Sequence, residues 1–370
     1  MEVLMLLRSP IDNDSRVKKE INSLRKEGVD ITLLSVNGSK LDGVKNHVHE
    51  FESKRRLIPG VSGILAFFTF LFFSLRYFNK HDVIHAHDLN ALPIAAIIKL
   101  VNFFKRPKIV YDSHELAIND VPNETYFSSK RKYLLERLFI RFADEVITVS
   151  PMIAERYSEL YRINLPSVVH NCPNYQQVKK QNIFREFFDI PEDNIIFLYQ
   201  GALCSGRGIE DILNTFTSLD GNDKSLVFMG YGGLEGLIKS YQAKHDNIHF
   251  HPAVAQNVLL DYTSSADFGI ALIEDTCESY RLCMPNKIFE YLMAGLPIIV
   301  SNLVEMKRLV NKYDVGVVAH SNNASDVVSA MLKASELDKT ILENNVKRVS
   351  LDFNWEVEAE KLCSIYKRLN

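Results

Sequence analysis

The chain has 370 residues, enough for two cores at roughly 100 to 200 residues per domain. A hydrophobic share of 46% and a charged share of 24% match ordinary globular usage and exclude a disordered, collagen-like or multi-span membrane chain. The net charge of -3, from 43 Lys+Arg and 46 Asp+Glu, lacks the basic excess of a generic nucleic-acid binder, so no nucleic-acid partner is expected.

The opening Met1-Glu2-Val3-Leu4-Met5-Leu6-Leu7 carries an acid at position two and only a short apolar run, which reads as a strand and not as a signal peptide. Further strands are predicted near Ile31–Val36, Val83–Ala86, Lys108–Tyr111, Val146–Val149 and Val168–Val169, most of them followed by helical periodicity. The order restarts with Ile195–Tyr199, Leu226–Met229, Ile248–Phe250, Phe268–Leu272, Ile298–Val300 and Gly316–Val318. Near-continuous apolar strands indicate parallel sheets covered on both faces, hence two doubly wound α/β units. The polar stretch Pro173–Asn194 is the natural linker, giving domains 1–175 and 190–354. The helical spacing from Trp355 suggests that 355–370 packs back on the first domain or stays with the second. Residues 1–170 hold 24 Lys+Arg against 20 Asp+Glu, leaving 19 against 26 for the rest; a basic half beside an acidic one hints at an anionic partner on the first domain. Five scattered cysteines with no CxxC pair give neither a disulfide framework nor a zinc signature and fit a reducing cytosol.

One segment breaks the alternation. Leu57–Leu75 is uncharged, contains Phe67, Phe68, Phe70, Phe72 and Phe73, and is flanked by Lys54-Arg55-Arg56 and Arg76. Pro59, Gly60 and Gly63 shorten its strongly apolar part to about 64–75, too short for an ordinary membrane span. A core helix and a helix lying on a membrane surface, with the basic flanks on anionic lipid, are both open, and a spanning helix is the weakest reading.

Three groups could carry chemistry. In Met284-Pro285-Asn286-Lys287-Ile288-Phe289-Glu290-Tyr291, proline marks a helix start close to Asn286, whose free N–H groups could cradle a phosphate, while Glu290 one turn on could accept from a ribose diol. In Gly201-Ala202-Leu203-Cys204-Ser205-Gly206-Arg207-Gly208 the glycines permit close backbone approach and Arg207 offers a phosphate-binding fork; the spacing is neither a Walker loop nor a GxGxxG fingerprint. His85-Ala86-His87-Asp88 and Asp112-Ser113-His114-Glu115 each follow a strand, so their polar tips can meet at one sheet rim; their spacing matches no zinc signature, and no metal is expected. Each has a plainer reading: a solvated carboxylate for Glu290, a glycine turn beside a surface arginine, and structural hydrogen bonding for His85 and His87.

Taken in order, Asn13-Asp14-Ser15-Arg16-Val17, Asp112-Ser113-His114-Glu115, Val168-Val169-His170-Asn171 and Pro285-Asn286-Lys287-Ile288-Phe289-Glu290-Tyr291 give the chain a pattern that resembles the family-4 retaining glycosyltransferases of the GT-B fold. That resemblance implies two Rossmann-like domains facing across a cleft. It also implies a nucleotide-diphosphate sugar, UDP- or GDP-linked, as co-substrate, and neither metal nor cofactor. The acceptor, a saccharide or a lipid-linked one, would lie on the first domain, with Asp14 and Arg16 in the opening loop among the substrate-binding residues. Glu290 looks like the family's ribose-binding glutamate, Arg207 its diphosphate cation, and His114 the histidine facing the donor sugar. Asn286, Lys287 and Gly201 fall beside the phosphates, and Val254 where backbone meets the base. The family's first glutamate, eight positions before Glu290, is Leu282 here, so Glu278 or Glu274 is its expected stand-in; members whose helix starts Pro-Asn-Lys commonly lack it. The Gly-Arg pair common in the phosphate loop reads Gly201-Ala202.

The implied reaction is sugar transfer with retention, aided by Arg207 and helix dipoles at the leaving diphosphate and by His114 at the charge-deficient sugar or its hydroxyls. The phenylalanine-rich 57–76 suggests a cytoplasmic enzyme working at the inner face of a membrane in surface polysaccharide or glycoconjugate synthesis. The alternative is a GT-B-like binding or scaffold subunit that has lost catalysis, suggested by Ala202 and Leu282.

Overall fold

The computed structural model describes residues 1–51, 61–77, 79–102, 104–217 and 223–369. The chain divides into two compact units, one built from 1–120, 124–169 and 358–370, the other from 121–123 and 170–357.

In the first unit β1 (Glu2–Leu7), β2 (Asp30–Val36), β3 (Lys45–His49), β4 (Val83–His87), β5 (Lys108–Asp112), β6 (Glu145–Thr148) and β7 (Ser167–Val168) form a sheet ordered β3-β2-β1-β4-β5-β6-β7. Its strands pair in parallel, with Met5 opposite Leu33 on one side and His85 on the other. In the second unit β8 (Ile195–Ala202), β9 (Lys224–Tyr231), β10 (Ile248–Pro252), β11 (Phe268–Ala271), β12 (Ile298–Val300) and β13 (Gly316–Val318) form a parallel sheet ordered β10-β9-β8-β11-β12-β13. Each sheet therefore runs outward from its first strand, then reverses: β1 separates β2 from β4, and β8 separates β9 from β11. In open parallel sheets of this order the crevice beyond the strand ends at that reversal is where ligands bind.

The period of two along β8 builds two cores at once: Ile196 and Leu198 pack into one cluster, Phe197 and Tyr199 into the other. Helix α1 (Ser15–Lys26) starts where the Asp14 carboxylate accepts the Val17 N–H at 3.0 Å, and buries Val17, Ile21 and Leu24 along one stripe. Next come α2 (Val61–Ser74), α3 (Asp88–Val101) and α4 (Tyr126–Phe139). The last helix runs from Trp355 to Leu369, and from Glu358 onward it belongs to the first unit, with Leu362, Ile365 and Tyr366 buried.

Three details differ from the sequence reading. The strand β3, Lys-Asn-His-Val-His, was absent from it, because an edge strand needs no apolar run and this one buries Asn46 instead. The units meet in sequence at Val169 and His170, ahead of the polar linker, since His170 rings pack on Phe289 and Phe353 of the second unit. In the phenylalanine-rich segment, 57–60 and Lys54-Arg55-Arg56 lie outside the described residues. Helix α2 turns Phe70 and Leu71 into the core but leaves Ile64, Leu65, Phe68 and Phe72 46–65% exposed, so it is neither fully buried nor fully outside. No described helix is long and apolar enough to cross a membrane.

Candidate active site

The second unit gathers its polar residues at the reversal beside β8. The helix Asn286–Met293 begins after the extended Pro285, where the sequence places it. It sets Lys287 and Glu290 one turn apart, with Asn286 exposed at its start. Glu290 is held from the sheet: the Gln200 amide donates to its Oε2 at 2.6 Å, and the Gln200 carbonyl oxygen accepts from the Thr263 hydroxyl at 2.7 Å. Tyr291 locks the same strand end, its hydroxyl accepting the Gln200 N–H at 2.9 Å and donating to the Ile270 carbonyl at 3.1 Å. Sequence reasoning named Glu290 but missed Gln200, Thr263 and Tyr291; the legible sign was a polar residue at the buried end of β8, directly before Gly201.

Gly201 is in the left-handed region at φ +112, and the place its Cβ would take lies 3.7 Å from Lys287 Cε. A Cβ there would only touch the lysine; the left-handed backbone is what favours glycine at this position. Gly208, at φ +69, lies against the Leu272 carbonyl, so the phosphate-loop candidate is pressed onto the residue that follows β11. The Lys287 ammonium lies over the Tyr199 ring, 3.6 Å from its centroid, and the Arg207 guanidinium 4.4 Å from that of Tyr280. Neither cation has an ion-pair partner among the described residues. Burial, then the neighbouring Arg207, pull the Lys287 amine down to about 7, with Glu290 opposing. For Arg207 burial works against the charge, but the surrounding tyrosine and cysteine groups outweigh it and the pKa is raised. Two half-buried cations without carboxylates, beside a free helix start, form a site with the charge and donors for a diphosphate.

Of the other residues expected here, Glu274 turns inward, its Oε1 accepting the Gly208 N–H at 3.2 Å, which leaves Glu278 as the half-buried carboxylate in the first turn of the helix Glu278–Leu282. Leu282, at the family's first-glutamate position, is buried. Val254 follows β10 and packs its side chain on the second unit's core.

In the first unit, His114 stands two residues past Asp112, the end of β5. Its Nε2 is 3.4 Å from Asp112 Oδ2 and its Nδ1 3.6 Å from Asp88 Oδ2. Asp88, at φ +62, opens α3 in a conformation that side chains other than those of Asn and Asp rarely take, and its Oδ1 accepts the His114 N–H at 3.1 Å. Burial opposes a charge on His114, but Asp88 and Asp112 together push it up to about 10, so it carries a proton at neutral pH.

Arg16 corrects the sequence reading. Instead of standing free for substrate it is buried: it forks onto both Asp112 oxygens at 2.9 and 3.0 Å, ion-pairs with Glu20 at 2.9 Å and donates to the Val169 carbonyl at 2.8 Å. It therefore holds Asp112, which in turn faces His114. Asp14, expected beside substrate, caps α1. Burial opposes ionisation of Asp112, but Arg16 and His114 hold it well below the usual carboxylate range. Glu20 goes the other way, raised by burial and then by Asp112. His85 and His87 are kept neutral chiefly by burial; His85 Nδ1 bonds the Tyr366 hydroxyl at 2.7 Å, a structural role that ties the terminal helix to β4.

One ligand atom each from Glu20, His85, His87 and Asp112 lie within 4.8 Å of one another, the donor set of a metal site. The Arg16 guanidinium already sits on both carboxylates, giving the pair its counter-charge.

Two parallel sheets of Rossmann order, each reversing at its first strand, define a protein of the GT-B glycosyltransferase fold. Residues 16–176 match the Glycosyltransferase Family 4 profile and residues 214–354 that of the Glucosyltransferase 3-like C-terminal domain. The first unit is therefore similar to that of the family-4 glycosyltransferases. The chain is 20% identical over 362 residues, 95% of this chain and 93% of the other, to the capsular polysaccharide biosynthesis glycosyltransferase CapM of Staphylococcus aureus. Among solved structures it is similar to sucrose-phosphate synthase from Thermosynechococcus elongatus (TM-score 0.80, 18% identity, 100% of this chain and 99% of that one). It is also similar to Anabaena HepE in complex with UDP-glucose (TM-score 0.75, 14% identity, 100% of both chains).

Proposed function

We propose that this glycosyltransferase moves a sugar, with retention of anomeric configuration, from a UDP- or GDP-linked donor to a saccharide or lipid-linked acceptor in surface polysaccharide synthesis. The observation that carries the reading is the Gln200–Glu290 hydrogen bond set beside the unpaired Lys287 and Arg207 at the sheet reversal. Gln200 fixes the Glu290 carboxylate, leaving it to accept from a ribose diol, while Arg207, Lys287 and the N–H groups at Asn286 and Lys287 take the diphosphate. Because these groups are fixed before substrate arrives, they stabilise the charge that develops on the leaving diphosphate without reorganising. The two cations supply the counter-charge, which is the ground for proposing a reaction without a metal. The acceptor hydroxyl attacks from the face the diphosphate leaves and passes its proton to a leaving phosphate oxygen. His114, being cationic, suits a sugar hydroxyl or the leaving group and not the electron-poor anomeric carbon. The names of CapM and of the HepE complex support the pathway and the donor class.

The test is calorimetric binding of UDP and GDP to wild type, Arg207→Ala and Glu290→Ala, followed by NMR of the anomeric product from the sugar whose nucleotide binds. Binding of one nucleotide, at least tenfold weaker in both variants, with a product of unchanged anomeric configuration, supports the reading. An inverted product overturns retention; binding without turnover returns the scaffold alternative; no binding overturns the donor site.

A further inference from the structure

The reversal of the first sheet, between β1 and β4, opens into a cavity of about 870 Å³ that the donor site does not use. Most of its wall is apolar: Ile64, Phe67 and Phe68 from α2, Pro93 and Ile97 from α3, Leu135 and Phe139 from α4. Ile64, Phe68 and Phe72 recur every fourth residue, so the cavity wall continues as an exposed apolar stripe about 12 Å long at 1.5 Å per residue. Contiguous exposed apolar surface joined to a cavity marks a binding face, and its length suits an extended hydrocarbon better than a sugar ring.

Charge singles out the head group. Arg8, the residue after β1, lines the cavity with one nitrogen donating to the Asn90 carbonyl at 3.2 Å and its guanidinium 5.7 Å from the Phe67 centroid. Glu115, Arg131 and Lys132 also line the wall, and Asp88 and Asp120, which share it, face cations already, His114 and Lys132. Arg8 makes no ion pair among the described residues. A half-buried guanidinium in an apolar wall gains most from an anion that reaches it, and phosphate matches its fork.

We propose that this cavity binds a long-chain lipid phosphate, its phosphate on Arg8 and its hydrocarbon along Phe67, Phe68 and the α2 stripe. This deepens the function proposed above, and rests on it only in making that lipid the carrier of the acceptor sugar. Asp88 then stands at the head-group end of the cavity, one residue contact from His114.

The probe is dodecyl phosphate below its micelle concentration, titrated by calorimetry into wild type, Arg8→Gln and Phe68→Asp, with UDP titrated into each as a control on the second unit. Wild type binds dodecyl phosphate at least a hundredfold more tightly than inorganic phosphate. Arg8→Gln and the exposed-site Phe68→Asp each weaken it about tenfold or more, with UDP affinity unchanged. Dodecyl phosphate binding indifferent to both substitutions overturns the proposal while leaving the donor site standing. Binding to phosphatidylglycerol vesicles with none to monomeric dodecyl phosphate also overturns it, in favour of surface docking. Arg8-dependent binding in a protein that takes no nucleotide supports the lipid site and sinks the glycosyltransferase reading instead.

Discussion

The Lys287 ammonium lies over the Tyr199 ring, 3.6 Å from its centroid, and this contact ties the proposed donor site to pH. The ring takes the place of water around the cation, and Arg207 nearby adds repulsion; together they bring the amine to about 7. A diphosphate reverses the balance by favouring the charged form. Above pH 7 nucleotide binding should therefore take up a proton, and affinity should fall as pH rises, by up to about tenfold per unit. Calorimetry of the bound nucleotide in two buffers of different ionisation enthalpy at pH 8.5 reads the uptake directly, and Lys287→Met should abolish it. The sign for folding is opposite. A lysine with a lowered folded pKa releases its proton on folding, so stability should rise with pH between about 7 and the ordinary lysine value, and Lys287→Met should raise Tm at pH 7.

Gly269 on β11 carries a prediction from packing alone. A Cβ built there meets the Tyr291 ring, and Tyr291 is the group that fixes the Gln200 strand end. Gly269→Ala should cost about 1–3 kcal/mol, as overpacking does. The displaced tyrosine should also loosen Gln200, so nucleotide affinity should drop although the mutated residue touches no ligand. Gly236→Ala, which has open space around its Cβ, is the control and should leave affinity as it is.

How far the sequence could be read follows from the range of each interaction. Buried parallel strands advertise themselves as apolar runs, so β1, β4 and β12 were legible to within one residue, while β8 runs three residues past its apolar stretch into Gln200-Gly201-Ala202. Pro285 announced a helix start because its effect is confined to its own turn. What sequence could not show were partners set by register and long-range packing. Gln200 and Glu290 are ninety positions apart, His85 and Tyr366 further still, and neither pair leaves a local trace. Arg16 was misread for the same reason: an arginine in a polar loop beside a helix start looks exposed until β5 brings Asp112 to it.

That Arg16–Asp112 pair should be more important to stability than any surface ion pair in the molecule. Both side chains are almost wholly buried. Removing one partner leaves an uncompensated charge, at a cost of about 3–5 kcal/mol, so Arg16→Met and Asp112→Asn should each lower the unfolding temperature of the first unit. Glu20→Gln should behave differently. Burial and Asp112 raise its folded pKa, so stability tied to Glu20 is present below the ordinary carboxyl value and declines as pH rises toward the folded one. The variant should therefore be relatively more stable at pH 8 than at pH 4.5 when each is compared with wild type by urea titration.

The His114 imidazolium gives the sharpest spectroscopic prediction. Burial alone would hold it neutral, yet Asp88 and Asp112 raise it to about 10, so its ring carbon resonance should show no titration between pH 5 and 8. Its contribution to stability is full below the ordinary histidine value, near 6.5, and should be lost as pH climbs toward 10. Asp88→Asn keeps a side chain that tolerates the left-handed backbone at φ +62 while deleting the charge, which separates electrostatics from strain. The His114 pKa should then fall by about one to three units, the size of shift one close carboxylate produces. Sugar transfer in Asp88→Asn should decline as the pH is raised through that new value, whereas wild type should hold its rate to higher pH. A His114 resonance that titrates near 6.5 in the wild type would show that the two carboxylates do not hold its proton, and the cationic role assigned to it would fall.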